Sequence, residues 1–98
     1  MVYVSLITIT ATNTPQSISP GVRVPCTWVS LQSDPANANN AYHGPSNMTI
    51  NTGLVIGPGG GGAVPQYPPI GDITPYDLQL IYVAGTSGEK VRVMYAKR

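Results

Sequence analysis

The stretch Tyr76-Asp77-Leu78-Gln79-Leu80-Ile81-Tyr82-Val83-Ala84-Gly85-Thr86-Ser87-Gly88-Glu89-Lys90-Val91-Arg92-Val93-Met94-Tyr95-Ala96 decides the fold. Before the Gly85-Thr86-Ser87-Gly88 break, Leu78, Leu80 and Tyr82 alternate with Gln79, Ile81 and Val83. After it, Val91, Val93 and Tyr95 share one face. A period of two, built from β-branched and aromatic residues, is the pattern of strands that bury a face. The two runs predict strands over 73–84 and 90–96, joined as a terminal hairpin.

The same period extends outward from this stretch. Val2, Val4, Leu6 and Thr8 oppose Tyr3, Ser5, Ile7 and Ile9, so residues 2–11 read as an edge-tolerant strand with both faces half apolar. Residues 16–19 predict a short strand stopped by the Pro20-Gly21 turn. Residues 22–32 predict a long one in which Pro25 lacks an N–H and must lie at an edge or a bulge. Asn and Pro residues make 33–40 a loop. Shorter strands are expected at 41–44, 48–50 and 54–56, and nowhere do apolar residues recur at helical spacing. The expectation is all-β: one domain over 1–98, a β-sandwich or jelly roll of about seven or eight short antiparallel strands. A Gly/Pro-rich loop, 57–71, interrupts it with Gly59-Gly60-Gly61-Gly62 and Pro65, Pro68 and Pro69.

Charged residues are only 9% of the 98, well under the usual ~25%. Few charges suit a surface that lies against other protein, because charge is what keeps domains soluble and separate. A chain of this length buries only about 60–65% of its unfolded surface. One cysteine closes no internal disulfide, and Cys26 with His43 falls short of a four-ligand zinc site. Self-association is the remaining route to stability, so a homo-oligomer is expected. A net charge of +1 argues against a nucleic-acid partner. No run approaches the apolar length of a membrane helix, and Met1 to Ile7 alternates as a strand does, unlike a signal peptide. The free thiol of Cys26 fits cytoplasmic synthesis.

Catalytic chemistry finds little to use. His43 is the one general-base candidate near neutral pH; a serine or Cys26 nucleophile would need it and an orienting carboxylate such as Asp34. A lone loop histidine is more often a hydrogen-bonding residue. Cys26, in register with Trp28, reads as a small buried hydrophobe. Asp34, Asp72, Asp77 and Glu89 are scattered without metal-site spacing. The glycine run lacks the Lys-Ser/Thr of a phosphate loop and no helix follows it. The expectation is a protein that is not an enzyme, with no cofactor, no metal and no small-molecule substrate. Tyr67 stands apart from the other tyrosines. Its proline-rich flanks place it in a loop from which the core is hard to reach, so Tyr67, Pro68, Pro69 and Ile70 are expected to form an interface anchor. The surrounding loop is then mobile in the free subunit and ordered by a partner.

Two stretches resemble small virion proteins of tailed bacteriophages. Asn40-Ala41-Tyr42-His43-Gly44 followed by Asn51-Thr52-Gly53-Leu54-Val55-Ile56-Gly57-Pro58-Gly59 is similar to their "Asn-x-Tyr-x-Gly … Gly-x-x-Ile-x-Pro-Gly" rhythm. Residues 76–91 are similar to their "Asp-Leu-x-x-Ile-Tyr-Val-x-Gly … Gly-x-x-Val" ending. Together they cover roughly residues 40–95; the insert at 57–71 and Pro25 depart from the pattern. The resemblance implies a β-sandwich without enzymatic activity, a capsid cement (decoration) protein on the virion surface. It also implies the major capsid protein as partner, and a trimer. The alternative is a receptor- or carbohydrate-binding module of a phage fibre or tail, using exposed tyrosines; a hydrolase built on His43 ranks last.

Overall fold

Among the described residues nine strands, all paired antiparallel, form two facing sheets and a small ribbon. The strands are β1 (Val2–Thr8), β2 (Gln16–Ser17), β3 (Pro25–Cys26), β4 (Trp28–Ser33), β5 (Ala41–Gly44), β6 (Leu54–Ile56), β7 (Tyr76–Asp77), β8 (Tyr82–Ala84) and β9 (Lys90–Ala96). One sheet has the order β1-β9-β4, the other β2-β8-β5-β6, and β3 pairs with β7. The computed structural model describes residues 1–62 and 66–97. The core lies between the sheets: Val29, Leu31, Val91 and Val93 from the first meet Ile18, Ala41, Ile56 and Val83 from the second, with Ile9, Cys26, Leu78 and Ile81 closing the ends. The chain is all-β and forms a small β-sandwich, as the alternation predicts.

The terminal hairpin does not form. β8 pairs with β2 and β5, while β9 pairs with β1 and β4, so residues 85–89 cross from one sheet to the other as an arch. A second crossing, between β1 and β2, braces the first. Ile9 N–H donates to the Glu89 carbonyl, Gly88 N–H to that of Ile9 and Asn13 N–H to that of Gly85. A Cβ at Gly85 would lie 2.8 Å from Ile9 Cδ1, so the end of the buried Ile9 side chain would have to shift to admit one. Alternation cannot separate an arch from a hairpin, since both flanks have period two. What decides is that β8 and β9 each bury an apolar face, and the two faces can cover one another only from opposite layers.

Three other expected strands are divided or absent for local reasons. The run 73–84 breaks because the Asp77 carboxylate accepts the N–H groups of Val24 and Gln79, which turns Leu78–Leu80 into a short 3₁₀ helix, η1. Leu78 is buried and Leu80 faces solvent as a result. The run 22–32 divides at Thr27, whose N–H turns to the Ala96 carbonyl. Pro25 therefore sits in the two-stranded ribbon, where both strands are edges and its missing donor is tolerated. Residues 48–50 form no strand and link a turn at 46–47 to one at 50–52. Met48 and Gly53 N–H groups bond to the Pro45 and Thr49 carbonyls, and Met48 plugs the space beside Gly44 and Gly53. The expected strands at 41–44, 54–56 and 90–96 keep those bounds.

Candidate functional site

The glycine-rich segment follows the outer edge of β4, where it corrects the expectation of a free loop. β4 bonds to β9 on one side and leaves the N–H and C=O groups of Val29, Leu31 and Ser33 facing the other. Ser33 N–H donates to the Gly61 carbonyl at 2.9 Å, and Ser33 Oγ donates to that of Gly57 at 2.6 Å. Val29 and Tyr67 exchange both backbone bonds. Between them the Gln66 side chain acts as a strand residue: Oε1 accepts from Leu31 N–H and Nε2 donates to its carbonyl, both at 2.7 Å. All these bonds are made within one chain, so no partner is required to order this edge. The part of the loop at 63–65 lies outside the described residues.

Tyr67 is likewise turned inward, contrary to the expectation that it could not reach the core. Its ring packs on the core and meets His43 and Tyr76 edge-on, with centroids 5.4 Å away in each case. Its hydroxyl and His43 Nδ1 share a 2.9 Å hydrogen bond. Burial raises the phenol pKa, with the neighbouring Tyr76 adding to the effect. Tyr76 in turn donates to the Pro68 carbonyl. Pro68, Pro69 and Ile70 are exposed beyond this contact, so of the four residues expected as an anchor only these three face outward.

His43 lies on the central strand β5 and is only 3% exposed. Its Nδ1 partner is a phenol, while Asp34 is engaged elsewhere, accepting from Ala36 N–H and lying 3.6 Å from Arg92. The base–carboxylate pairing that catalysis by His43 would need is therefore not assembled around these two residues. Cys26 is fully buried and its thiol donates to the Val24 carbonyl. Burial, with the negative Asp77 nearby, raises its pKa to about 11. A thiol in that state is a poor nucleophile, which agrees with the reading of Cys26 as a small buried hydrophobe. Among the described residues no cluster of three potential metal ligands occurs.

These groups set how stability varies with pH. Burial lowers the His43 pKa from 6.5, so the unfolded chain takes up a proton that the folded chain resists. His43 is then neutral to stability above about pH 6.5, and stability falls as pH drops from there towards the lower folded value. Asp77 is held below 3.8 by the Val24 N–H first, then by Arg23 and the Gln79 N–H. Its contribution is complete above the unfolded carboxylate value and is lost as pH falls through the folded one. Cys26 acts at the other end, where stability falls as pH rises from 9.0 to about 11. The urea midpoint should be flat between these limits and decline on both sides. His43→Gln should flatten the limb just below pH 6.5, and an unchanged slope in that variant would refute the assignment.

The strand β1 lies at the edge of the first sheet. Among the described residues it pairs only with β9, and its exposed residues include Val2 (54%), Val4 (68%) and Leu6 (53%). These three align across β9 with Ala96, Met94 and Arg92, and then with Trp28, Ser30 and Gln32 of β4. Together they form the outer face of the first sheet. Val4, Ser30, Gln32, Arg92, Val93 and Met94 line a shallow depression of about 230 Å³ there. Half-apolar alternation in 2–11 is the sequence signal for a two-sided strand; that among the described residues no strand covers its far edge is a tertiary fact. Searches against models of known protein families, curated protein sequences and solved structures find no match to this chain.

Proposed function

We propose that this protein is a structural component that works by associating with other protein, without enzymatic activity. The observation that supports this reading best is β1, a seven-residue strand with no charge and no proline, lying open at a sheet edge beside an apolar outer face. Natural edge strands are usually blunted by charge, proline or cover, and an uncovered apolar edge is a surface for pairing. The exposed Pro68, Pro69 and Ile70 add a smaller apolar patch near the end of the segment that closes β4.

The particular form comes from the resemblance of residues 40–95 to tailed-phage virion proteins: a cement protein that binds the major capsid protein and reinforces the assembled shell. Co-sedimentation tests it. The chain should pellet with mature phage capsids, raise the temperature at which they disrupt, and ignore bacterial cells and glycans. Retention on cells or glycans without capsid binding would favour the fibre or tail module instead. Binding to none of them would overturn the association reading in its virion form.

A further inference from the structure

We propose that β1 pairs antiparallel with β1 of a second copy about a two-fold axis at Val4, giving a continuous six-stranded sheet in the order β4-β9-β1-β1-β9-β4. The inference rests on the reading of the protein as one that associates, and it names the partner of its open edge. Backbone geometry defines what that edge offers. Ile9 N–H and C=O bond toward the β9 side, to Glu89 and Gly88, and the Met1 carbonyl accepts from Lys97 N–H. Antiparallel pairing alternates, so the odd-numbered residues of β1 spend their backbone groups on β9, and Val2, Val4 and Leu6 direct theirs outward.

The Gln16 side chain marks where this free edge ends. Its Nε2 donates to the Thr8 carbonyl at 3.0 Å and its Oε1 accepts from Thr10 N–H at 2.9 Å, occupying the next outward-facing groups. The open window therefore runs over residues 2–6 and is centred on Val4. Val-x-Val-x-Leu reads nearly alike in both directions, so a two-fold at Val4 sets Val4 against Val4 and Val2 against Leu6, each as a hydrogen-bonded pair. An isologous contact places every residue near its own copy, so charge on the strand would be repulsive. Residues 2–8 carry none, and the chain's net charge is only +1. In this register Met1 lies opposite Ile7 and Tyr3 opposite Ser5. An edge of this kind pairs once, so the contact makes a dimer in place of the trimer that the resemblance implies.

Sedimentation equilibrium of the full chain across the micromolar range should show a mass rising from 10.3 kDa toward twice that value. Val4→Lys, at an exposed position, should return it to the monomer mass, whereas Leu54→Lys on the edge of the other sheet should not. Register is tested by oxidation. Hydrogen-bonded antiparallel partners have Cα atoms about 5.5 Å apart, within disulfide reach. Val4→Cys should cross-link to itself, while Val2→Cys and Leu6→Cys should each cross-link only when mixed with the other. A monomer at every concentration without a Val4→Cys cross-link would overturn the pairing, and so would a trimer indifferent to Val4→Lys. Capsid co-sedimentation, scored separately, distinguishes the two failures. A monomer that binds capsids sinks the dimer alone, and a dimer that binds none sinks the virion reading alone.

Discussion

Gly62→Ala is expected to lower the stability of the free chain by about 2–5 kcal/mol, combining backbone strain with overpacking. Gly62 has φ +99°, a conformation L-residues rarely adopt, and a Cβ there would be driven into the Leu31 carbonyl oxygen. That carbonyl is the one the Gln66 amide holds, so the damage reaches the bonds that close β4. With total stability of only ~5–15 kcal/mol for such a domain, the urea midpoint should fall steeply. Amide exchange at Leu31 and Ser33 should quicken more than at Val93, on the protected central strand. Gly59→Ala is the control. Gly59 also has positive φ (+64°), but its Cβ would stand in open space, so only about 1–2 kcal/mol of backbone strain is expected. Equal effects in the two variants would mean that close approach to β4 is not what requires glycine at 62.

Tyr67→Ala is expected to destabilise the isolated chain by about 2–3 kcal/mol, below the ~3–5 of a fully buried aromatic because this ring is half-buried. The substitution removes packing on the core and the edge-on contacts with His43 and Tyr76. Tyr67→Phe keeps the ring but leaves His43 Nδ1 without its 2.9 Å partner, which costs about 1–2 kcal/mol for a buried polar group. Denaturation of the purified chain with no partner present measures both. A residue serving only as a docking anchor would leave that stability unchanged, and this outcome would contradict the inward placement.

Side-chain amides carry an unusual share of the edge work. Gln66 clasps Leu31, Gln16 clasps Thr8 and Thr10, and Asn37 donates to the Lys90 carbonyl while accepting its N–H. Each imitates one residue of a neighbouring strand. In a chain with 9% charged residues, neutral groups with one donor and one acceptor side by side can satisfy an edge without adding charge.

Alternation by itself determined the class of fold and the bounds of β5, β6 and β9, because a period of two depends only on which side chains must reach the core. It also marked β1 as two-sided. Tertiary structure alone decided which strands are partners. Among the described strands only β5 and β6 are neighbours both along the chain and within a sheet; the other pairings join distant segments, and no local signal specifies them. The arch at 85–89 formed where a hairpin is expected because the two flanking faces must meet across the core. Tyr67 and the glycines before it read as free when only their flexible neighbours are considered. They are held because the outer edge of β4 presents backbone groups that need partners, and glycine is what allows another stretch of backbone to come close enough.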